Sequence, residues 1–156
     1  MLDLSDLREL VEQQAFERVL LSTAEDGSRS PAHLALRGIA LARLAQVEEA
    51  QRALAQVEQA SGLLDVDARV DLAGLQILLG QAGDAMSALE SVTSEHADHA
   101  LALTRLAIVY NLQGRLDEAV ALFERSLQIA PQRITAWLNL ARTQIHLGCR
   151  AQARKH

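Results

Sequence analysis

Leu103, Leu106 and Tyr110 are spaced by three and four residues, and so are Leu116, Val120, Phe123 and Leu127 further along. Each run is the apolar face of a helix. Between them lies Gly114, suited to the left-handed residue that closes a helix, and Pro131 ends the second run because it restricts the residue before it. The same period, followed through the chain, predicts helices at about 4–13, 15–23, 31–44, 47–60, 66–79, 83–94, 99–113, 116–129, 133–147 and 150–156. Ala24-Glu25-Asp26-Gly27-Ser28-Arg29-Ser30-Pro31 is the clearest loop, its proline opening the next helix.

The pattern repeats. Residues 72–85 and 140–153 share seven identities in fourteen positions at an offset of 68, and Leu106-Ala107 to Ala119 lies halfway between them. Leu-Ala therefore recurs at 72, 106 and 140, Gly at 80, 114 and 148, and Ala at 85, 119 and 153. The period is 34 residues. Small residues fall where two helices must approach closely, as Ala107 with Ala119 and Ala141 with Ala153.

Leu103-x-x-Leu106-Ala107-x-x-Tyr110, Gly114, Ala119-x-x-x-Phe123 and Pro131 together resemble the tetratricopeptide repeat family. The next copy opens with Trp137-x-x-Leu140-Ala141, and an earlier one fits with one extra residue at Leu34, Gly38, Leu41, Ala45, Ala50, Leu54 and Val57. Gln76 and Gln144 replace the usual Tyr, and Ala replaces the Gly after Leu in all three aligned copies. The resemblance implies an all-α, right-handed solenoid of stacked helix-turn-helix repeats, because no hairpin buries its apolar face alone. It divides the chain into a degenerate N-terminal helical hairpin at 1–30 and repeats at 31–65, 66–99, 100–133 and, incomplete, 134–156.

Composition agrees with a helical chain. Ala and Leu make up 55 of 156 residues, aromatics are 3 %, and Pro occurs twice, which disfavours a sandwich or barrel. A 49 % hydrophobic content and a net charge of −5 disfavour disorder. No apolar run reaches the length of a membrane span, and Met1-Leu2-Asp3-Leu4 lacks the basic start of a secretion signal, so a cytoplasmic location is expected. Fourteen Arg against one Lys hint at a GC-rich bacterial genome. Residues 125–156 carry six basic side chains and no acidic one, while the first 124 carry nine basic and twenty acidic. Six charges over several turns are too few for a nucleic-acid face, and nucleic acid is not an expected partner.

Chemistry finds little support. His96-Ala97-Asp98-His99 has metal-like spacing but lacks an evident third ligand, and it lies where a polar linker between repeats is expected. His146 and Cys149 are three apart and would need a second chain; Cys149 is read as a turn residue at the middle of the last repeat. Glu48-Glu49 and Asp117-Glu118 open second helices, where they complement the helix dipole. No metal, cofactor or catalytic residue is expected, and the chain is not read as an enzyme.

What remains is recognition. In the family resembled, the first helix of each repeat lines a concave groove that binds a partner segment. Carried across, the groove of the last two copies comprises Arg105, Ile108, Asn111, Leu112, Leu138, Asn139, Arg142, Ile145 and His146. Arg105 and Arg142 suit forked contacts to a carboxylate, and Asn111 and Asn139 suit a partner's backbone. Members that bind chaperone tails use a lysine and asparagine clamp; the matching positions here are Ala35, Ile39, Asp71, Leu101 and Arg105, and only Arg105 fits. The expected ligand is therefore an apolar protein or peptide segment, with the chain as scaffold or adaptor. Self-packing of the same face on the N-terminal hairpin or on a second protomer is the competing reading. The basic stub Arg150–His156 leaves Trp137, Leu140 and part of 116–129 poorly covered, an open end expected to meet a partner or to support a homo-oligomer. The alternative function is an adaptor or oligomerisation arm of a longer enzyme whose catalytic domain lies beyond residue 156.

Overall fold

The computed structural model describes residues 2–24, 30–60, 62 and 64–155. Among them every long element is a helix: α1 Leu4–Glu12, α2 Phe16–Ala24, α3 Pro31–Arg43, α4 Val47–Gln59, α5 Val66–Leu78, α6 Ala82–Glu95, α7 Ala100–Leu112, α8 Leu116–Ile129 and α9 Ile134–Arg154. The chain is an all-α helical repeat of the solenoid class. Residues 25–29 of the loop expected at 24–31 lie outside the described residues. The helices form two compact units, Met1–Ala88 and Leu89–His156, with the boundary inside α6.

Four tight turns join α1 to α2, α3 to α4, α5 to α6 and α7 to α8, and all four have one backbone design. A residue of positive φ stands in each: Gln14 (58°), Ala45 (62°), Gly80 (81°) and Gly114 (77°). The next amide donates to the carbonyl five residues back, Ala15 to Leu10, Gln46 to Leu41, Gln81 to Gln76 and Arg115 to Tyr110, at 2.8–2.9 Å. This is the Schellman closure, which satisfies carbonyls that the helix end would leave orphaned. Four other helices start on side-chain caps, Asp3 with Asp6 for α1, Ser30 before Pro31 for α3, Asp65 for α5 and His99 for α7, whereas α9 starts at Arg133 without one.

In the first unit Leu7, Leu10, Val19, Leu36, Ile39, Leu41, Leu54 and Leu75 make one core, so the N-terminal hairpin packs on α3. Gly38 permits the close approach there: a β-carbon on it would lie 2.6 Å from Leu75 Cδ2 and 3.3 Å from Ala53 Cβ. In the second unit Ala107, Ala119, Phe123, Leu127, Ala136 and Leu140 form the core of α7, α8 and α9.

One expectation is corrected. The glycine pattern predicts a turn near Gly148 and a new helix from 150, yet α9 runs unbroken for 21 residues to Arg154. The physical difference lies in the side chains beyond the glycine. Past Gly114 and Ala45 come large apolar side chains, Phe123 and Leu54, that bury against the preceding helix. Residues 149–155 offer only Cys, Ala, Gln, Arg and Lys. Nothing draws the chain back, so the helix continues and Cys149 is an exposed helical residue.

Candidate functional site

Helices α7 and α9, the first helices of the last two repeats, lie side by side in the second unit, and polar contacts in the packing fix their register. The Thr104 and Ser126 hydroxyls lie 2.6 Å apart and 3.0 and 2.8 Å from the Ala100 carbonyl, so one donates to that carbonyl and the other to its fellow hydroxyl, which pins the start of α7 to α8. At the other end Asn111 Nδ2 donates to Thr143 Oγ1 at 2.6 Å, and Thr143 donates to Asn139 O at 2.7 Å. Thr143 and Ser126 are fully buried, so these bonds form away from water, where leaving a partner unpaired is costly.

Above this frame α7 and α9 present an apolar surface. Leu112 is 66 % exposed, Leu138 53 % and Ile145 63 %, with Ile108 half-buried beside them on α7. Leu138, Arg142 and Ile145 succeed one another at helical spacing and share a face of α9, and Cys149 continues it. Arg142 and His146 are exposed at its margin. The arrangement suits burial of an apolar segment, with guanidinium and imidazole donors at the edge.

The remaining sequence-derived positions behave differently. Arg105 is only 9 % exposed and is engaged within the chain, so little of it meets solvent. The amide groups of Asn111 and Asn139 are committed to Thr143 and to Thr135 O. Thr143 is a positioning residue that sequence reasoning misses; its only signal is its place in the repeat, 34 positions after the buried Val109. In the first unit, Asp71, one of the chaperone-clamp positions, is buried and ion-paired with Arg8.

Around Tyr110 lies a separate cluster. Its hydroxyl donates to Glu90 at 3.0 Å, Arg115 stacks over its ring at 3.8 Å, and Arg115 makes a forked pair with Glu118 at 2.8 and 2.6 Å. Burial, then the Glu90 carboxylate, push the Tyr110 phenol above its ordinary value. The Arg115 hydrogen bond holds the Glu118 carboxyl below its usual range. Turn and packing residues explain this cluster; it closes the α7–α8 hairpin.

Metal-like spacing at 96–99 has a structural role in this fold. His99 Nδ1 accepts from Ala102 N at 3.2 Å and caps α7, while His96 is exposed. Among the described residues no three His, Cys, Asp or Glu side chains gather around one point, and no helix is long and apolar enough to cross a membrane.

Residues 85–132 and 98–156 match the family model of the tetratricopeptide repeat. This stretch, 85–156, is tetratricopeptide repeat sequence, and the chain has the tetratricopeptide repeat fold. Solved tetratricopeptide repeat structures carry the same fold over most of its length. The first TPR of Spaghetti (RPAP3), bound to the HSP90 peptide SRMEEVD, is 18 % identical with a TM-score of 0.58, over 78 % of this chain and 95 % of that one. MamA from Desulfovibrio magneticus RS-1 is 19 % identical with a TM-score of 0.59, over 96 % and 86 %. YrrB, described as a TPR protein with an unusual peptide-binding site, is 19 % identical with a TM-score of 0.55, over 93 % and 76 %. No curated protein matches this tetratricopeptide repeat chain in sequence.

Proposed function

We propose that the chain is a protein-interaction scaffold whose α7–α9 surface binds an apolar segment of a partner protein. The observation that carries this reading is the trio Leu112, Leu138 and Ile145, three large apolar side chains left more than half exposed on adjoining first helices. A surface of that kind is an unmet burial opportunity, worth about 2 kcal/mol for each such side chain that a partner covers. Two fold neighbours support peptide recognition by this architecture, one bound to an HSP90 peptide and one named for its peptide-binding site. An acidic chaperone tail is not the proposed ligand, since only Arg105 of the five clamp positions is basic and it is buried. Arg142 and His146 orient the segment from the edge, and the buried Arg105 with the half-buried Asn111 and Asn139 holds the helices that display the surface. A reducing, cytoplasmic setting suits the exposed lone thiol of Cys149.

The test is a pull-down from source lysate with the wild-type chain and with Leu138→Ser/Ile145→Ser. A partner retained by the first and lost by the second, at equal helicity, supports the reading. Identical capture by both would remove it.

A further inference from the structure

Charge in the second unit is sorted between first and second helices. Its acidic side chains are Glu90 and Glu95 in α6, Asp98 in the connection that follows, and Asp117, Glu118 and Glu124 in α8. Helices α7 and α9 hold none, whereas α9 sets the exposed Arg142 and His146 on the α7–α9 surface. Arg150, further along, is already committed to the Gly114 carbonyl at 3.1 Å. Among the described residues neither the Arg142 nor the His146 side chain has a hydrogen bond or an ion pair.

Position decides what this charge means. Leu138 and Ile145 are two turns apart on α9, about 10 Å along its axis. Arg142 falls between them in height and to one side, and His146 follows on the same side. The matching residue of α7, 34 positions earlier, is Ile108, so the charge is particular to α9. A segment that covers both Leu138 and Ile145 therefore meets Arg142 on the way. Taking a guanidinium out of water beneath apolar side chains is unfavourable unless an opposite charge meets it.

We propose that the partner segment received by this surface is acidic as well as apolar, with an Asp or Glu set between the side chains that cover Leu138 and Ile145 and forked on the Arg142 guanidinium. This deepens the proposed function and rests on it. A guanidinium presents a planar fork that matches a carboxylate with two parallel hydrogen bonds, and the His146 imidazole supplies a further polar group on the same flank. With no acidic side chain on α7 or α9, nothing on these helices competes for Arg142, and the surface attracts an acidic segment while repelling a basic one. The carboxylate lies inside the segment, between two apolar contacts, which distinguishes this ligand from a chaperone tail.

The probe is a displayed library of short random peptides, selected on the full chain. Enrichment is expected for peptides with Asp or Glu between apolar residues, and it is expected to be lost on Leu138→Ser/Ile145→Ser. Arg142 is exposed, so its variants keep the fold. On Arg142→Glu the selected peptides are expected to carry Lys or Arg at that place instead. For one selected peptide, remade with its carboxylate as the amide, affinity for the wild-type chain is expected to fall about tenfold and affinity for Arg142→Met to stay the same. Equal enrichment of peptides without a carboxylate, or the same tenfold loss on Arg142→Met, would overturn the acidic ligand while leaving the apolar surface in place. No selection that depends on Leu138 and Ile145 would remove the proposed function, and the acidic ligand with it. A mass of two protomers that Arg142→Glu returns to one would also overturn the proposal, because it would assign the acidic complement to a second copy of the chain.

Discussion

Arg8 and Asp71, 63 positions apart, are joined in the first unit by a hydrogen bond from Nε to Oδ2 at 2.9 Å, with Nη2 2.8 Å from the same oxygen. The Nη2 contact is an ion pair without hydrogen-bond alignment, and Nη1 lies 4.0 Å from Asp67 Oδ2. Asp71 is wholly buried in the middle of α5, and Arg8 is the residue by which the N-terminal hairpin reaches it. Removing one side of such a pair strands the other in a low-dielectric setting.

Arg8→Met is therefore expected to lower stability by about 2 kcal/mol, less than a fully buried pair would lose because Arg8 keeps some solvent contact. Arg8→Met/Asp71→Leu is expected to recover most of it. Urea unfolding of the two variants beside wild type checks this; equal losses would mean the pair has no coupling.

Gln14 and Ala45 occupy left-handed turn positions that Gly80 and Gly114 fill elsewhere. A β-carbon costs about 1 kcal/mol in that conformation. Gln14→Gly and Ala45→Gly are each expected to raise the thermal midpoint, and Gly114→Ala to lower it. A fall on either glycine replacement would contradict the shared turn design.

These turns also mark how much of the fold is legible in the sequence. The hairpins closed by Gly80 and Gly114 are legible because glycine advertises positive φ. The α1–α2 hairpin is not recognisable as a copy because its turn residue is Gln14, yet its backbone closure is the same. Gly148 misleads in the opposite direction: the residue type allows a turn, but the residues after it supply no apolar side chain to hold one. At the candidate site the exposed Leu112, Leu138 and Ile145 are readable from helical spacing and the family pattern. The burial of Arg105 and the Asn111–Thr143 bond are not, since both depend on how helices distant in sequence settle against each other.

Tyr110 is the only tyrosine, so its titration is read without interference. Its pKa is raised in the folded chain, which means the folded state resists losing that proton. The associated stability is present below the ordinary phenol pKa of about 10 and is lost as pH rises through the higher folded value. Tyr110→Phe is expected to flatten the alkaline loss of stability. Glu90→Gln is expected to move the tyrosinate absorbance transition to lower pH; a transition that stays in place would remove the carboxylate from the cause. At the acid end the lowered Glu118 pKa acts in the reverse sense, its contribution fading as pH falls through the folded value.

Cys149 offers the most direct measurement of partner binding, because the only thiol of the chain is exposed and lies on the face of α9 that carries Leu138, Arg142 and Ile145. A benzophenone attached there, irradiated in source lysate, captures what covers that surface. A discrete protein cross-linked to the wild-type chain, absent with Leu138→Ser/Ile145→Ser and absent when the label is moved to α4 by Cys149→Ser/Gln51→Cys, is the expected result. The same product from all three, or none from the wild type, would contradict a binding surface on α7 and α9.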